Sequence, residues 1–463
     1  MQKLIAKYGL AAHLAILAVA PFFLFPFVRE TTCATVLIWL SLPVCLWVLL
    51  EPSVRFGEHL HDARRRVLRA ILRDPLFWVS VALVLFTGIR ALNTGVALVY
   101  DAETSHWRVS EANLPLIPGA VGSAGYLPFA AALAFTVLIQ GCRHALGRSA
   151  RMACLLFVSS LAGVAAVIAV FSLPYGCAGA LSALEAEGDP WSFVGLAFGL
   201  AMLGGVIALV AAIEQHWNFA LFLVTFAIGG NGAAFFAFSP VYLFVGLAGV
   251  ELALLAYVLF FVHSTLRSSG AAKLLTVFGI ALVLGGLLVA AVVPESAQLV
   301  RIRAIKSAWL FPKQFWAQRA VLSGVAFKSW VPCLWTGTGL GSFAFDFRFN
   351  VQPEDWVMFP RGSSSVPNGW WQALAERGLV GVVFIALPFC FLLFTYIRRM
   401  VRGLRAWELP HPACLLGFLV LALVVAEGFF DCSPIRADVL LVTGSLMSIS
   451  ASSFPRKRGQ GNG

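Results

Sequence analysis

The residue whose surroundings point most directly to chemistry is Arg319, in the segment QFWAQRAVLSGVAFKSW (314–330). The segment follows Pro312 and has the periodicity of a helix. At about 100° per residue, Arg319 shares a stripe with Phe315 and Leu322, which predicts that its side chain faces inward among apolar neighbours. A guanidinium in such surroundings needs an anionic partner, and its planar fork suits a phosphate or a carboxylate.

Other arginines could bind the same anion. Arg348 and Arg361 lie further along the same polar stretch, and Arg90 lies near the end of the third apolar run. Arginines can meet the negative charge of a departing phosphate without a metal ion. We therefore predict substrate-binding roles for all four arginines and a catalytic role for Arg319 as well. A structural ion pair between Arg319 and an acid of the same loop is the alternative. The sequence has no zinc-ligand spacing.

Three closely spaced glycines lie between these cations, in TGTGLGSFAFDFRF (336–349). Because glycine has no Cβ, Gly337, Gly339 and Gly341 permit a tight turn and a close approach of the backbone to a ligand. We predict that they border the bound substrate. The segment lacks the strand–turn–helix context of a dinucleotide-binding motif.

Acid–base chemistry would come from a histidine or a carboxylate. In the topology derived below, only His106 of the eight histidines lies on the same side of the membrane as Arg319. Its imidazole titrates near neutral pH and could act as a general base if the two external segments meet; a solvated loop histidine is the alternative. Glu376, just ahead of Gly378, is the carboxylate candidate for a catalytic role.

The composition indicates the class of protein whose helices position these residues. The chain has 463 residues, of which 60% are hydrophobic and only 12% charged, against about 25% charged in soluble domains. This excludes a soluble fold. The net charge of +11 comes from 33 Lys and Arg against 22 Asp and Glu. The cations cluster between apolar runs, as in membrane proteins, so we predict no nucleic-acid partner.

The apolar runs predict twelve membrane-spanning helices. They lie near residues 8–28, 32–50, 75–98, 126–142, 153–172, 193–213, 219–238, 241–262, 274–293, 378–397, 412–430 and 435–451.

Lys and Arg concentrate in alternate short loops, which predicts that both termini lie in the cytoplasm. The predicted organisation has three parts. Residues 1–293 hold spans one to nine, with a basic cytoplasmic linker at 51–74 lying on anionic membrane lipids and an external loop at 99–125. Residues 294–377 form a large folded external loop, and residues 378–463 hold the last three spans and a basic tail.

One stretch resembles a known family. Gly337-Thr-Gly-Leu-Gly-Ser-Phe343, followed by Asn368, nine residues and Gly378-Leu-Val-Gly381, resembles the signature of O-antigen ligases and related Wzy-type polymerases. The resemblance implies an all-α polytopic membrane protein of about twelve transmembrane helices, GT-C-like, with a large periplasmic loop between helices 9 and 10. It also implies the bacterial inner membrane as the location.

The family resemblance further implies a metal-independent glycosyltransferase, and together with the lack of zinc-ligand spacing it predicts no metal or other cofactor. Such enzymes pass a glycan from an undecaprenyl-pyrophosphate carrier to a hydroxyl of lipid A–core or of a growing polysaccharide. The resemblance implies substrate-binding positions at Asn231 and Asn368. This chain departs from the family at two places: Pro367 replaces the family's histidine, and Asn231 stands where ligases often have arginine.

Three functional hypotheses follow from these features. The first is a ligase- or polymerase-type glycosyltransferase with altered catalytic groups. The second is a non-catalytic relative that binds a lipid-linked glycan or scaffolds envelope polysaccharide assembly. The third is a lipid or polysaccharide transporter, which would be expected to show a repeat between the two halves of the chain.

Overall fold

The computed structural model describes residues 2–24, 30–52, 54, 58–93, 98–101, 106–109, 119–172, 190–214, 218–238, 241–266, 268–292, 313–359, 363, 365–366, 368–405, 412–429 and 436–452.

The described chain is almost entirely helical. Its first helices are α1 (Gln2–Leu24), α2 (Glu30–Leu50), α3 (Leu60–Leu72), α4 (Pro75–Leu92), α5 (Tyr126–Gln140), a π-helix (Gly141–Ala145) and α6 (Arg148–Ser172). They are followed by α7 (Pro190–Glu214), α8 (Asn218–Phe238), α9 (Val241–Leu266), α10 (Ser268–Val292), α11 (Lys313–Trp330), α12 (Phe343–Asn350), α13 (Gly369–Arg405), α14 (Pro412–Glu427) and α15 (Ala437–Ser452). Between α4 and α5, β1 (Leu98–Asp101) and β2 (His106–Val109) form an antiparallel hairpin.

All twelve predicted spans overlap a helix. Among the described residues, nine helices are long and apolar enough to cross a membrane. Three shorter apolar segments coincide with the first and the last two predicted spans: Tyr8–Leu24, Leu415–Glu427 and Ala437–Ser450. The chain is therefore a helical, polytopic membrane protein.

Helix α7 forms the centre of the bundle, because every residue from Gly195 to Ile213 is buried. Small residues let the helices around α7 approach one another closely. A Cβ on Gly163 of α6 would lie 2.7 Å from Ala227 Cα of α8, and a Cβ on Gly229 of α8 would lie 2.8 Å from the Ala281 carbonyl of α10. Such small-residue contacts are typical of helices packed within a bilayer, where burial of apolar surface adds little.

One boundary differs from the sequence prediction, and one helix adds to it. The third span was predicted to reach residue 98, but α4 ends at Leu92 and Leu98 begins β1. The basic linker contains an amphipathic helix, α3, which buries Ala63, Val67 and Ile71 and leaves Arg65, Arg69 and Arg73 exposed.

The described part of the large external loop is folded around its own small core. Leu322 and Val325 of α11 pack with Phe343 and Phe347 of α12. The predicted helix at 314–330 is confirmed, since α11 covers it. Helix α13 begins within the predicted loop and is broken at Gly378, whose φ of 65° and ψ of −175° are not helical.

Candidate functional site at the glycine loop

The three predicted glycines form a tight turn, which we call the glycine loop (residues 336–342). Gly337, Gly339 and Gly341 have φ values of 67°, 121° and 75°. An L-residue with a side chain rarely adopts these values, because its Cβ would approach the carbonyl oxygen. The prediction of a tight turn at these glycines is confirmed.

The glycine loop and the two residues before it form the backbone hydrogen bonds that α13 lacks at its break. In a continuous helix, the N–H groups of Leu379 and Val380 would bond to the carbonyls of Ala375 and Glu376. Instead they bond to Leu334 and Trp335 carbonyls, at 2.9 and 3.2 Å. The freed carbonyls accept from Thr338 N–H at 2.8 Å and Gly339 N–H at 3.0 Å. These four backbone groups at the break are thus paired, as burial requires.

This exchange brings two backbones into direct contact. A Cβ on Gly337 would lie 2.5 Å from the Glu376 carbonyl carbon, and a Cβ on Gly378 would lie 2.4 Å from the Trp335 carbonyl carbon. Both distances are far below van der Waals contact. Glycine is therefore required at both positions, and Gly337 packs directly against the backbone of α13 beside Gly378.

The glycine loop also joins the two external segments. Leu340 N–H donates to the Gly119 carbonyl at 3.0 Å, and Val121 N–H donates to the Leu340 carbonyl at 2.9 Å. His106 begins β2 opposite Asp101 in the hairpin of the same external segment. The orientation of the His106 side chain lies outside the described structure.

Arg90 is buried at the outer end of α4, with 1% of its surface exposed. It donates from Nη1 to the Glu376 carbonyl at 2.9 Å and from Nη2 to the Thr336 carbonyl. Its guanidinium lies over the Phe86 ring, 4.9 Å from the centroid. Two of its three nitrogens therefore hold the glycine loop to α13, and Nε has no hydrogen-bond partner among the described residues.

Glu376 is also buried, 5% exposed, and its carboxylate faces the glycine loop. It accepts from the Gly341 N–H and from Gln372 Nε2, the latter at 3.3 Å. A buried carboxylate beside a backbone turn and two arginines can hold or accept a proton.

Arg377 was not predicted from the sequence. Its side chain is 6% exposed, and its Nε has no partner among the described residues. It lines a small cavity of about 20 Å³, whose other walls are mostly apolar and come from α4, α5, α13 and α15 through Leu83, Pro128, Phe389 and Leu440; Thr87 is the other polar residue of the lining. The sequence feature that could have identified Arg377 is the charged pair Glu376-Arg377, which lies directly before an apolar run.

A second polar cluster lies behind the glycine loop. Thr338 Oγ1 donates to Asp346 Oδ2 at 2.8 Å, and Ser342 Oγ is 3.2 Å from the same oxygen. Burial raises the pKa of Asp346, and these hydroxyl donors oppose the shift without cancelling it. Asp346 links the glycine loop to α12.

The remaining predicted arginines lie on the external loop. Arg319 is half-buried on α11, one turn before the buried Leu322, and Arg348 is exposed on α12. Arg361 and Pro367 lie outside the described residues. An aromatic cluster joins α11 to the start of α13, where the Phe327 and Trp371 rings meet edge to face with centroids 5.7 Å apart.

The two asparagines predicted to bind substrate make structural contacts. Asn368 precedes α13 and accepts from Trp371 N–H at 3.1 Å through Oδ1, which is the geometry of a helix N-cap. Asn231 is fully buried between helices, where Nδ2 donates to the Ser159 carbonyl at 3.1 Å and Oδ1 has no partner among the described residues. Neither residue contacts the glycine loop in the hydrogen bonds described.

Comparison of the chain with family models and with curated proteins gave no match. Within the described part of the chain, no three His, Cys, Asp or Glu side chains are grouped closely enough to hold a metal ion.

Proposed function

We propose that this protein is an inner-membrane glycosyltransferase of the O-antigen ligase or polymerase type. It transfers a glycan from an undecaprenyl-pyrophosphate carrier to an acceptor hydroxyl, on lipid A–core or on a growing polysaccharide, at the periplasmic face. The proposal includes twelve spans, a GT-C-like arrangement and cytoplasmic termini. Three features support it: the helical bundle, the folded loop before α13, and the conformation of the glycine loop.

The observation that carries the proposal is the buried group of Arg90, Glu376 and Arg377. Two guanidiniums and one carboxylate lie under the glycine loop, so this group has an excess of one positive charge. Removing a cation from water without a counter-charge is costly. Arg377 also borders a mostly apolar cavity. An anionic group such as a pyrophosphate would balance this charge; the cavity itself, about 20 Å³, has room for about one water molecule and not for a polyprenyl chain.

The proposed reaction requires a base and a stabilised leaving group. The acceptor oxygen bonds to the anomeric carbon, and the bond from that carbon to the pyrophosphate oxygen breaks. The hydroxyl proton passes to a carboxylate or an imidazole, for which Glu376 and His106 are the candidates. Arg319 and Arg377 meet the charge of the departing pyrophosphate, as arginines can do without a metal. Arg348 and Arg361 extend the cationic surface of the loop.

Membrane lipids are the other proposed partner. The exposed Arg65, Arg69 and Arg73 lie four residues apart along α3, beside the exposed Leu68 and Leu72. A helix with this surface lies in the membrane interface, and each basic residue contributes about 1 kcal/mol of attraction to anionic lipids. This supports a cytoplasmic position for α3 and for both termini.

A second candidate function is glycan binding without transfer. It is favoured by Asn231, which is buried and bonded to Ser159 instead of supplying the charge of the family's arginine. It is also favoured by Pro367 in the place of the family's histidine. In that case the protein would scaffold polysaccharide assembly.

The test is transfer in vitro from a purified undecaprenyl-pyrophosphate glycan to lipid A–core and, separately, to a second repeat unit. We expect wild-type protein to transfer to one of these acceptors. Arg319→Ala and Arg377→Gln should each lower kcat by about 100-fold, the scale of losing one group that stabilises transition-state charge. Arg398→Gln is the matched control, because Arg398 is an exposed arginine at the other end of α13.

Transfer by the Arg319 and Arg377 variants at the wild-type rate would refute their assignment. Wild-type protein that binds the lipid-linked glycan but transfers it to neither acceptor would support the scaffold function instead.

A further inference from the structure

A groove on the outer surface of the external loop has no role in the chemistry described above. It lies between α11 and the chain that follows α12, and its cavity volume is about 140 Å³. This is smaller than sites for drug-sized ligands, which measure roughly 300–1,000 Å³. A single ring-sized group fits such a space.

One side of the groove is apolar and open. Val321, Gly324 and Val325 recur at helical spacing along one face of α11 and form this side. Gly324 is exposed, and a Cβ placed on it would have no heavy atom within 4 Å. This side of the groove is therefore unobstructed, and the flat face of a ring can pack against it.

Polar groups of several kinds complete the groove: Lys328 lies on the same face of α11, and Gln352 and Asp355 lie on the opposite side. Lys328 can only donate hydrogen bonds, Asp355 can accept them, and Gln352 can do both. None of these three side chains has a hydrogen bond or an ion pair with another residue in the described ranges. Although Lys328 and Asp355 line the same groove, they form no ion pair with each other in the described structure.

A fourth polar group is fixed in position. Asn350 Nδ2 donates to the Asp346 carbonyl at 3.0 Å and lies 3.3 Å from Ser329 Oγ. These contacts fix the amide through its nitrogen, Asn350 lines the groove, and its Oδ1 can accept a hydrogen bond. An acceptor held in advance reduces the entropy that a ligand must lose on binding.

The balance of charges narrows the class of ligand. One lysine and one aspartate give the groove no net charge, which does not favour a phosphate. A single carboxylate does not make a calcium site, since calcium takes six to eight oxygen ligands. A neutral ring with one apolar face and several hydroxyl groups matches both sides of the groove.

We propose that this groove binds one saccharide residue of the glycan, and this rests on the proposed function. At 100° per residue, Val321, Gly324 and Lys328 lie on the face of α11 opposite Arg319. The groove therefore binds the glycan away from the transferred bond. Binding energy from a remote part of a substrate can position its reacting end.

The probe is the free oligosaccharide released by mild acid from the undecaprenyl-linked glycan of the source cells. Binding to the purified full-length protein in nanodiscs is measured by saturation-transfer NMR and calorimetry. Gly324→Leu fills the groove and should weaken binding about tenfold or more. Ala320→Leu places the same side chain on an exposed position of α11 outside the groove, and should leave the affinity unchanged.

Two further variants test the polar side. Gln352→Ala and Asp355→Asn each remove one hydrogen-bonding group and should weaken binding roughly two- to tenfold. Thermal unfolding of each variant identifies any that misfold. Wild-type affinity in Gly324→Leu would overturn the proposal, as would an equal loss in Ala320→Leu.

The outcome separates this proposal from the function on which it rests. Oligosaccharide binding that depends on Gly324, in a protein without transferase activity, would support the groove and refute the enzyme. Transfer that requires Arg319 but is indifferent to Gly324→Leu, with binding also unchanged, would support the enzyme and refute the groove.

Discussion

Arg90 donates a hydrogen bond to the main-chain oxygen of Glu376 at 2.9 Å, across 286 residues of sequence. The same guanidinium reaches the Thr336 carbonyl. One side chain thus joins α4, the glycine loop and the broken helix α13. The geometry of the candidate site depends on this contact, because Glu376 and Arg377 follow directly from the backbone that Arg90 holds.

Replacing Arg90 should therefore destabilise the protein. A hydrogen bond to a charged group contributes about 1.5–3 kcal/mol, so Arg90→Ala should cost about 3–6 kcal/mol by losing both of its hydrogen bonds. Arg90→Lys should cost less, because an ammonium group can keep one of the two contacts. The thermal unfolding midpoint, followed by tryptophan fluorescence, measures the difference. Equal midpoints for wild type and Arg90→Ala would contradict this role, and Arg398→Ala is the control.

Gly378→Ala should disrupt the junction more severely. The φ and ψ of Gly378 lie in a region that is nearly exclusive to glycine, and the new Cβ would lie 2.4 Å from the Trp335 backbone. We expect little folded protein in the membrane fraction. Gly249→Ala is the matched control, since a Cβ there meets nothing within 4 Å. It should be neutral or stabilising by up to about 1 kcal/mol. Normal yield of Gly378→Ala would show that the junction tolerates rearrangement.

The raised pKa of Asp346 predicts that the folded protein loses stability as pH rises. Burial raises its pKa in the folded protein, so the folded state holds this proton more tightly than the unfolded state does. The free energy of unfolding should decrease as pH rises from the unfolded to the folded pKa. Asp346→Asn removes this dependence and should be at least as stable as wild type at neutral pH. Unfolding midpoints of both proteins across about pH 4 to 8 provide the test. A wild type that gains stability over the variant with rising pH would show the opposite sign.

Asp74, at the other end of the bundle, has a lowered pKa, which predicts that the protein loses stability as pH falls. Burial raises its pKa, but the His144 hydrogen bond and the Arg143 charge outweigh burial, and the net pKa is lowered. Both contacts measure 2.9 Å. This stabilisation is fully present above the unfolded pKa and is lost as pH falls through the folded pKa.

The variant Asp74→Asn isolates the charge at this position, because an asparagine still caps α4 through the Leu76 N–H. Its stability deficit relative to wild type should be largest near neutral pH and should vanish in acid. Asp74→Ala should lose about 1 kcal/mol more at every pH, because the cap is also lost. A deficit of Asp74→Asn that is independent of pH would exclude the ion pair as its cause.

The amino-acid sequence alone determined the membrane class, the positions of the apolar helices and the helix that carries Arg319. These properties depend on local composition and periodicity, which each segment carries by itself. It also located the turn at Gly337, Gly339 and Gly341, because glycines at that spacing permit backbone conformations that other residues avoid.

Only the tertiary structure decided what those residues contact. Arg90 resembles a free cation in sequence, but in the fold it holds two backbone carbonyls. Arg377 was not predicted as a site residue from the sequence, but it is buried beside a mostly apolar cavity, and its Nε has no partner among the described residues. The break at Gly378 is stable because Leu334, Trp335, Thr338 and Gly339 supply the missing hydrogen bonds. Such pairings join segments that are distant in sequence, and no local pattern of residue types encodes them.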